Sequence, residues 1–220
     1  MAALRELLPP LLEGLGVTVQ LALGGSAVAV LAALFGGTAR LARSRPIRWA
    51  AAAYVETFRG TSALVQLFWA YFALPLLGVR LGPMTTGIAV LGLNAGAYGA
   101  EVVRGAVRAV PRAQLDAGRS LGLNERQILW RVLFPQALPA MLPPGGNVLI
   151  ELLKNTALAS LITLGELTFQ SQVLRAETLR TVEIFTLLLL TYFGLSLVVA
   201  QAIGWLERRV RRRGHLEVAR

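Results

Sequence analysis

GLGVTVQLALGGSAVAVLAALFGGTA, residues 14–39, contains no charged residue. The hydrocarbon core of a bilayer is about 30 Å thick and takes roughly 20 apolar residues of helix to cross. A secretory signal has an apolar stretch of about 7 to 15 residues behind a basic head. This stretch is longer and follows Arg5, Glu6 and Glu13, so it reads as a retained membrane span. Four further apolar runs lie at residues 62–77, 85–110, 143–164 and 183–206. The second is short unless residues 48–58 lead into it, with a bend at Arg59-Gly60. Five spans of 20 to 25 residues consume roughly 100 to 125 residues and leave only short loops in a 220-residue chain. The fold expected is therefore an all-α membrane protein of five transmembrane helices, with residues 14–207 as one transmembrane domain and 208–220 as a basic cytoplasmic tail.

Composition agrees and removes whole classes of chemistry. The chain is 55% hydrophobic and 15% charged, whereas an average soluble domain is about 25% charged. It has no Cys, which excludes disulfide scaffolds, thiolate metal sites and Cys nucleophiles. Its one His, His215, lies in an Arg-rich tail, so neither a His-based metal site nor a catalytic triad is expected. An intramembrane aspartyl enzyme needs two Asp, and the only one here is Asp116, in a loop. The only Lys, Lys154, follows Leu152 and Leu153 and precedes Asn155, which is not a phosphate-binding loop. No catalytic residue, cofactor or metal is expected, and no ATP site.

Basic residues orient the spans, because Arg and Lys are retained on the cytoplasmic side. Sixteen of the 22 follow spans one, three and five: Arg40 to Arg48, Arg104 to Arg131, and Arg208 to Arg220. Arg5, Arg80, Arg175 and Arg180 lie opposite, and Arg59 and Lys154 fall in or near spans. The N-terminus is expected outside and the C-terminus in the cytoplasm. The net charge of +10 thus sets topology, and Arg208 to Arg213 are expected against anionic lipid headgroups. A nucleic-acid partner is not expected, since Trp205 is the only aromatic residue near that patch. Gly92, Gly96 and Ala100, with Ala29 and Ala33, form small-residue ridges at four-residue spacing that let helix backbones approach.

Residues 110–143 form the longest cytoplasmic segment. Pro111 suits a first helical position, residues 112–121 can form a short helix, and Gly122 suits a left-handed ending. Asn124 can cap a second helix with Gln127 as its capping-box partner, and Pro135 is expected to end it. The shape is a two-helix knuckle at the membrane surface. Transmission of force to a cytoplasmic partner and simple closure of a loop by an interfacial helix both fit that shape.

Here the residues resemble a known family. Membrane subunits of bacterial ABC importers carry a loop signature of Glu-Ala-Ala, three residues, Gly, nine residues, then Ile, one residue and Leu-Pro. Asp116-Ala117-Gly118, Gly122, Val132, Phe134 and Pro135 stand at those spacings. Phe58-Arg59-Gly60-Thr61, Asn94-Ala95-Gly96-Ala97-Tyr98, Glu101 to Ala106 and Leu152 to Thr156 resemble polar amino acid uptake permeases. Residues 61–69 and 167–176 are similar, more narrowly, to ectoine and hydroxyectoine permeases. The resemblance implies a type I ABC importer permease in a bacterial inner membrane. It also implies separate ATPase subunits, a second permease subunit, identical or paralogous, and an external solute-binding protein docking on loops 77–84 and 166–180. Asp116, Ala117, Gly118, Gly122 and Pro135 would then couple to the ATPase. The cargo it implies is ectoine or hydroxyectoine first, a polar amino acid second.

Polar residues within spans are costly and face cavities or one another. Asn94, Tyr98, Glu101 and Arg108 recur at helical spacing in span three, as do Asn147, Glu151 and Lys154 in span four. Gln66, Asn94, Tyr98, Glu101, Glu151 and Lys154 are the candidate pathway-lining residues. A structural pair of Glu151 with Lys154, and core packing for Gln66 and Trp69, are the competing readings. A self-sufficient carrier or channel is the rival class, although such carriers usually show internal repeats and none is visible here.

Overall fold

The computed structural model describes the backbone of residues 2–218 and the side chains of residues 8–210. Arg5, His215 and Arg211 to Arg220 lie outside the described side chains, so the lipid contact expected of the tail rests here on Arg208 and Arg209 alone. The described residues are helical, with no strand among them.

Helix α1 is Ala2–Ala39 and α2 is Arg45–Gly60. Helix α3, Ala63–Phe68, runs on through a π turn, Trp69–Ala73, and a 3-10 turn, Leu74–Leu77. Helix α4 is Pro83–Ala109, α5 is Arg112–Ser120 and α6 is Glu125–Gln127. A π turn, Ile128–Leu133, carries α6 into α7, Phe134–Asn155, which tightens into a 3-10 turn, Thr156–Ile162. Helices α8, Leu167–Thr178, and α9, Thr181–Val218, complete the chain.

Helix α4 is the axis of the molecule, buried on most of its circumference. Its glycines let α1 lie against it at backbone distance. A Cβ at Gly96 would stand 2.5 Å from the Ala32 Cβ, one at Gly92 would stand 2.6 Å from the Val28 Cβ, and one at Gly99 would stand 2.7 Å from the Ala33 Cβ. Close approach of this kind replaces hydrophobic driving force where the surroundings are themselves apolar. Helix α7 closes the other side, with Leu152 packed on Ala29 and Ala95, and Ala137 and Met141 packed on Val103 and Val107. Helix α9 leans on α7 at Gly146, where a Cβ would meet Ile203 at 2.7 Å. The outer faces of α1 and α9 are apolar and bare: Leu23, Phe35, Leu189 and Phe193 are each at least 60% exposed. Such faces in a water-soluble monomer would be aggregation sites, and lipid satisfies them.

Two helices, Leu8–Ala39 and Thr181–Val210, are individually long and apolar enough to cross a membrane. Two broken pairs meet that standard only together: Arg45–Gly60 with Ala63–Leu77, bent by 104°, and Glu125–Ile162 with Leu167–Thr178, bent by 53°. Helix α4, expected as span three, falls short of it because glycines, Asn94 and Tyr98 dilute its apolar content. It is the helix the others shield.

Two expectations are corrected. The segment 166–180, expected as an open outer loop, is largely helix α8, with Leu167, Ser171 and Leu174 buried against the bundle. Glu166 caps it by accepting from the backbone N–H groups of Thr168 at 2.9 Å and Phe169 at 2.8 Å. Its entry is pinned to α1, where the Leu167 N–H donates to Thr18 Oγ1 at 3.0 Å. Pro135, expected to end the second knuckle helix, instead sits at the start of α7 within a continuing helix. Proline removes one N–H from the ladder. The π turn just before it shifts the register of bonding, and Gln136 Nε2 donates to the Val132 carbonyl at 2.9 Å.

Candidate functional site

The polar residues expected within the spans do not form one cluster. They divide into a brace, an ion-pair group and an open face.

The brace surrounds the 104° break between α2 and α3. A broken helix leaves carbonyl groups without N–H partners, and in apolar surroundings those groups need side-chain donors. The Phe58 carbonyl accepts from Asn94 Nδ2 and from Gln66 Nε2, both at 3.0 Å. Asn94 Nδ2 also donates to Gln66 Oε1 at 3.0 Å, and Gln66 Nε2 donates to Thr61 Oγ1 at 2.7 Å. One turn back, the Tyr54 hydroxyl donates to the Leu93 carbonyl at 2.7 Å. Gln66 and Asn94 therefore fix the bend against α4. Replacing Asn94 by Leu would leave Gln66 Oε1 without its donor and take one of the two donors from the Phe58 carbonyl, a loss of about 1–3 kcal/mol for an unsatisfied buried group. A thermal unfolding midpoint several degrees below wild type in detergent is expected, and an unchanged midpoint would remove the brace assignment.

The ion-pair group holds Glu101. Both Arg104 Nε, at 2.9 Å, and Arg104 Nη2 donate to its Oε2, and Arg40 Nη2 lies 3.1 Å from its Oε1. Arg40 also reaches Glu56 at 3.6 Å. Glu101 thus joins the end of α1 to α4.

The open face contains Tyr98, Glu151 and Lys154, all exposed. Asn94, Tyr98 and Glu151 line one narrow crevice between α4 and α7, so spans three and four do bring them together. Its volume, about 10 Å³, suits at most one water, so a solute would have to pass over this face. No ion pair joins Glu151 to Lys154 among the described residues, which leaves both side chains directed outward. The guanidinium of Arg59 stands over the Tyr98 ring, 5.3 Å from its centre. Arg59, Tyr54 and Phe58 were not singled out from the sequence as site residues. An Arg at a helix end amid apolar chain needs a carboxylate or an aromatic face, and that need was the available signal.

The knuckle stands apart, at the end of the bundle where α1 and α4 finish. Helix α5 ends in a Schellman motif: Gly122 has φ +74°, its N–H donates to the Arg119 carbonyl at 2.9 Å, and the Leu123 N–H donates to the Gly118 carbonyl at 3.1 Å. Asn124 then opens α6 with a reciprocal capping box, both bonds with Gln127 at 2.9 Å. Gly118 is buried against Ile128, and a Cβ there would lie 3.0 Å from Ile128 Cγ1. Glu125 accepts from Arg119 Nη2 at 3.1 Å and from Arg43, linking the knuckle to the α1–α2 turn. Asp116, Ala117, Gly122 and Pro135 are exposed. The two short helices are thus fixed to each other while their outer surface is free to meet a partner.

The family described as "Binding-protein-dependent transport system inner membrane component" matches residues 29–212. The chain belongs to that family. It is 42% identical to a probable amino-acid ABC transporter permease of Sinorhizobium fredii, over 96% of this chain and 92% of that protein. It is 34% identical to the glutamine transport system permease of Escherichia coli strain K12, over 96% and 97% of the two chains. The L-cystine transport system permease of Bacillus subtilis is 36% identical over 78% of this chain and 73% of its own length. Among solved structures, a crystal structure of an amino acid ABC transporter with histidines superposes with a TM-score of 0.86 at 32% identity, covering 94% of this chain and 97% of its own. The family members named here are permeases by description, and the brace, open face and knuckle are this chain's version of an inner membrane component.

Proposed function

We propose that this chain is the translocating subunit of an ABC importer for polar amino acids. It crosses the inner membrane five times, with its N-terminus outside, and works beside a second permease copy or paralogue. The knuckle carries the reading: a doubly capped, outward-facing element placed where the Arg-rich helix ends collect. A mere loop closure requires no such rigidity, whereas a lever pushed by an ATPase does. The residues 14–207 form the transmembrane unit, and Asp116, Ala117, Gly118 and Gly122 form the coupling surface. Pro135 supports that surface by marking the π turn on which it stands.

Tyr98, Glu151 and Lys154, with Arg59, supply acceptor and donor groups on the exposed face of α4 and α7. A zwitterionic amino acid needs both. With this face open and the crevice behind it closed, a pathway would form where two permease subunits face each other. Ectoine, the first expectation from residues 61–69 and 167–176, finds no support in the names of the relatives above, which give glutamine and cystine for those proteins. A polar amino acid is the cargo we infer, delivered by an external binding protein. ATP hydrolysis lies in separate subunits, and no cofactor or nucleic acid takes part.

The test is reconstitution of the chain into vesicles with and without its ATPase subunits and binding protein, followed by uptake of radiolabelled glutamine and other polar amino acids. Uptake that needs all components and ATP is expected. Full-rate uptake down a gradient by the chain alone would overturn the reading in favour of a carrier.

A further inference from the structure

Four arginines, from two helices and the turn after a third, converge on one open cavity. Arg40 follows the end of α1, Arg48 lies at the start of α2, and Arg104 and Arg108 occupy the last two turns of α4. With Trp49 and Ala52 they line about 460 Å³. Two carboxylates face this group. Glu101 takes Arg104 and lies 3.1 Å from Arg40, and Glu56, itself largely exposed, lies 3.6 Å from Arg40. Arg48 Nη1 donates only to backbone, to the Ala42 carbonyl at 3.1 Å and the Arg43 carbonyl at 3.5 Å. The Arg108 side chain makes no hydrogen bond or ion pair among the described residues. Four guanidinium groups against two carboxylates leave an excess of two positive charges in a concave site, which concentrates anions.

The walls of the cavity say which anion. The guanidinium fork binds phosphate oxygens in pairs. Trp49, 74% exposed, and the exposed Ile47 stand on α2 beside the cavity, and Trp is enriched where membrane meets water. The apolar run of α1 stops at this level, so the arginines lie at headgroup height with bare apolar side chains next to them. Basic pockets between membrane helices on the cytoplasmic side suit anionic headgroups. We propose that this cavity is a binding site for a phosphate group carried by an anionic phospholipid, with the phosphate held by Arg48 and Arg108 and the glycerol end lying along Trp49. Assignment to the cytoplasmic leaflet rests on the orientation inferred above; the chemistry of the site does not.

The test uses the purified full-length chain in neutral detergent, titrated separately with phosphatidylglycerol, phosphatidylcholine of the same acyl chains, and inorganic phosphate. Retained lipid is read by native mass spectrometry and stability by the thermal midpoint. Phosphatidylglycerol is expected to stay bound and raise the midpoint, while the other two do neither. The double variant Arg48→Gln with Arg108→Gln should bind phosphatidylglycerol at least about tenfold more weakly, the scale of one lost charge-assisted contact. Arg108→Lys, which keeps the charge and loses the fork, should bind more weakly than wild type and more tightly than Arg108→Gln. Arg108→Gln alone removes a side chain with no internal partner, and it serves as the test if the double variant aggregates. Wild-type affinity in these variants, or equal protection by inorganic phosphate, would overturn the lipid site. The assay needs neither ATP nor transport, so it stands apart from the importer reading. Labelling of a single Cys introduced at position 45 from outside intact cells would reverse the leaflet and leave the titration to decide the site.

Discussion

With Gly122→Val, the subunit is expected to reach the membrane at near wild-type level while ATP-driven uptake falls to background. The reason is conformational, since nothing lies within 4 Å of the position a Cβ would take. At φ +74° a left-handed backbone costs an L residue about 1–2 kcal/mol, and a β-branched side chain is the poorest choice there. Relief of that strain unwinds the two bonds that end α5, from Gly122 to the Arg119 carbonyl and from Leu123 to the Gly118 carbonyl. Asn124 then loses its position as the cap of α6, and the two halves of the knuckle no longer move as one. The substitution leaves the apolar spans unchanged, so insertion is expected to persist and the loss to be selective. Gly122→Asn is the control, because Asn visits the left-handed region readily, and it should retain most uptake. Uptake per membrane-resident subunit, with subunit level measured by immunoblot, decides the matter. Normal uptake by Gly122→Val would sink the coupling role.

Gly96→Val is expected to act on the fold itself. The added Cβ would stand 2.5 Å from the Ala32 Cβ, 3.0 Å from the Tyr54 hydroxyl and 3.1 Å from the Ala29 carbonyl oxygen. Carbon atoms at rest sit about 3.5–4.0 Å apart, so α1 and α4 must part by roughly 1 Å or more along their whole contact. Two of the three obstacles are a Cβ and a carbonyl oxygen held on the α1 backbone, and they cannot swing aside. Overpacking of this kind costs about 1–3 kcal/mol in cores that can adjust, and a rigid pair of helices lies at or above the upper end. The displacement also strikes Tyr54, which anchors α2 to the Leu93 carbonyl. Yield of monodisperse protein after detergent extraction should fall severalfold, with a markedly lower thermal midpoint. Gly105→Ala is the matched control: it lies on the same helix with nothing within 4 Å, and it should be neutral or slightly stabilising, since Ala is the better helix former. Equal yields for the two variants would show that close approach at Gly96 is dispensable.

The features readable from sequence were those whose partners lie a few residues away. The left-handed Gly122 and the Asn124–Gln127 box are each satisfied within a few residues of chain, so spacing alone located them; the bend near Gly60 was legible from its Arg-Gly punctuation, but not the side chains that satisfy it. The apolar runs were legible because bilayer thickness imposes a length. Features decided across helices were not. Glu101 reads as a free pathway residue until Arg40, in the turn after α1, is seen beside it. Gln66 and Asn94, expected along a pathway, form a hydrogen-bonded brace because the crossing of α3 over α4 sets both amides at the Phe58 carbonyl. Gly118, read from the sequence only as part of the loop signature, leaves the space where Ile128 packs. Pro135 reads as a stop, and the π turn that accommodates it depends on α7 continuing beneath the knuckle.

Taken alone, the amino-acid order determined a helical membrane chain, the sites of its turns and caps, and the uneven distribution of arginine along it, because these follow from local bonding and from transfer between water and lipid. Tertiary structure decided which small residues touch, which charges are paired, that α4 is the shielded axis, and that four arginines far apart in sequence enclose one cavity. Those outcomes depend on helix crossing geometry, which a periodic pattern specifies only as a face and never as a partner.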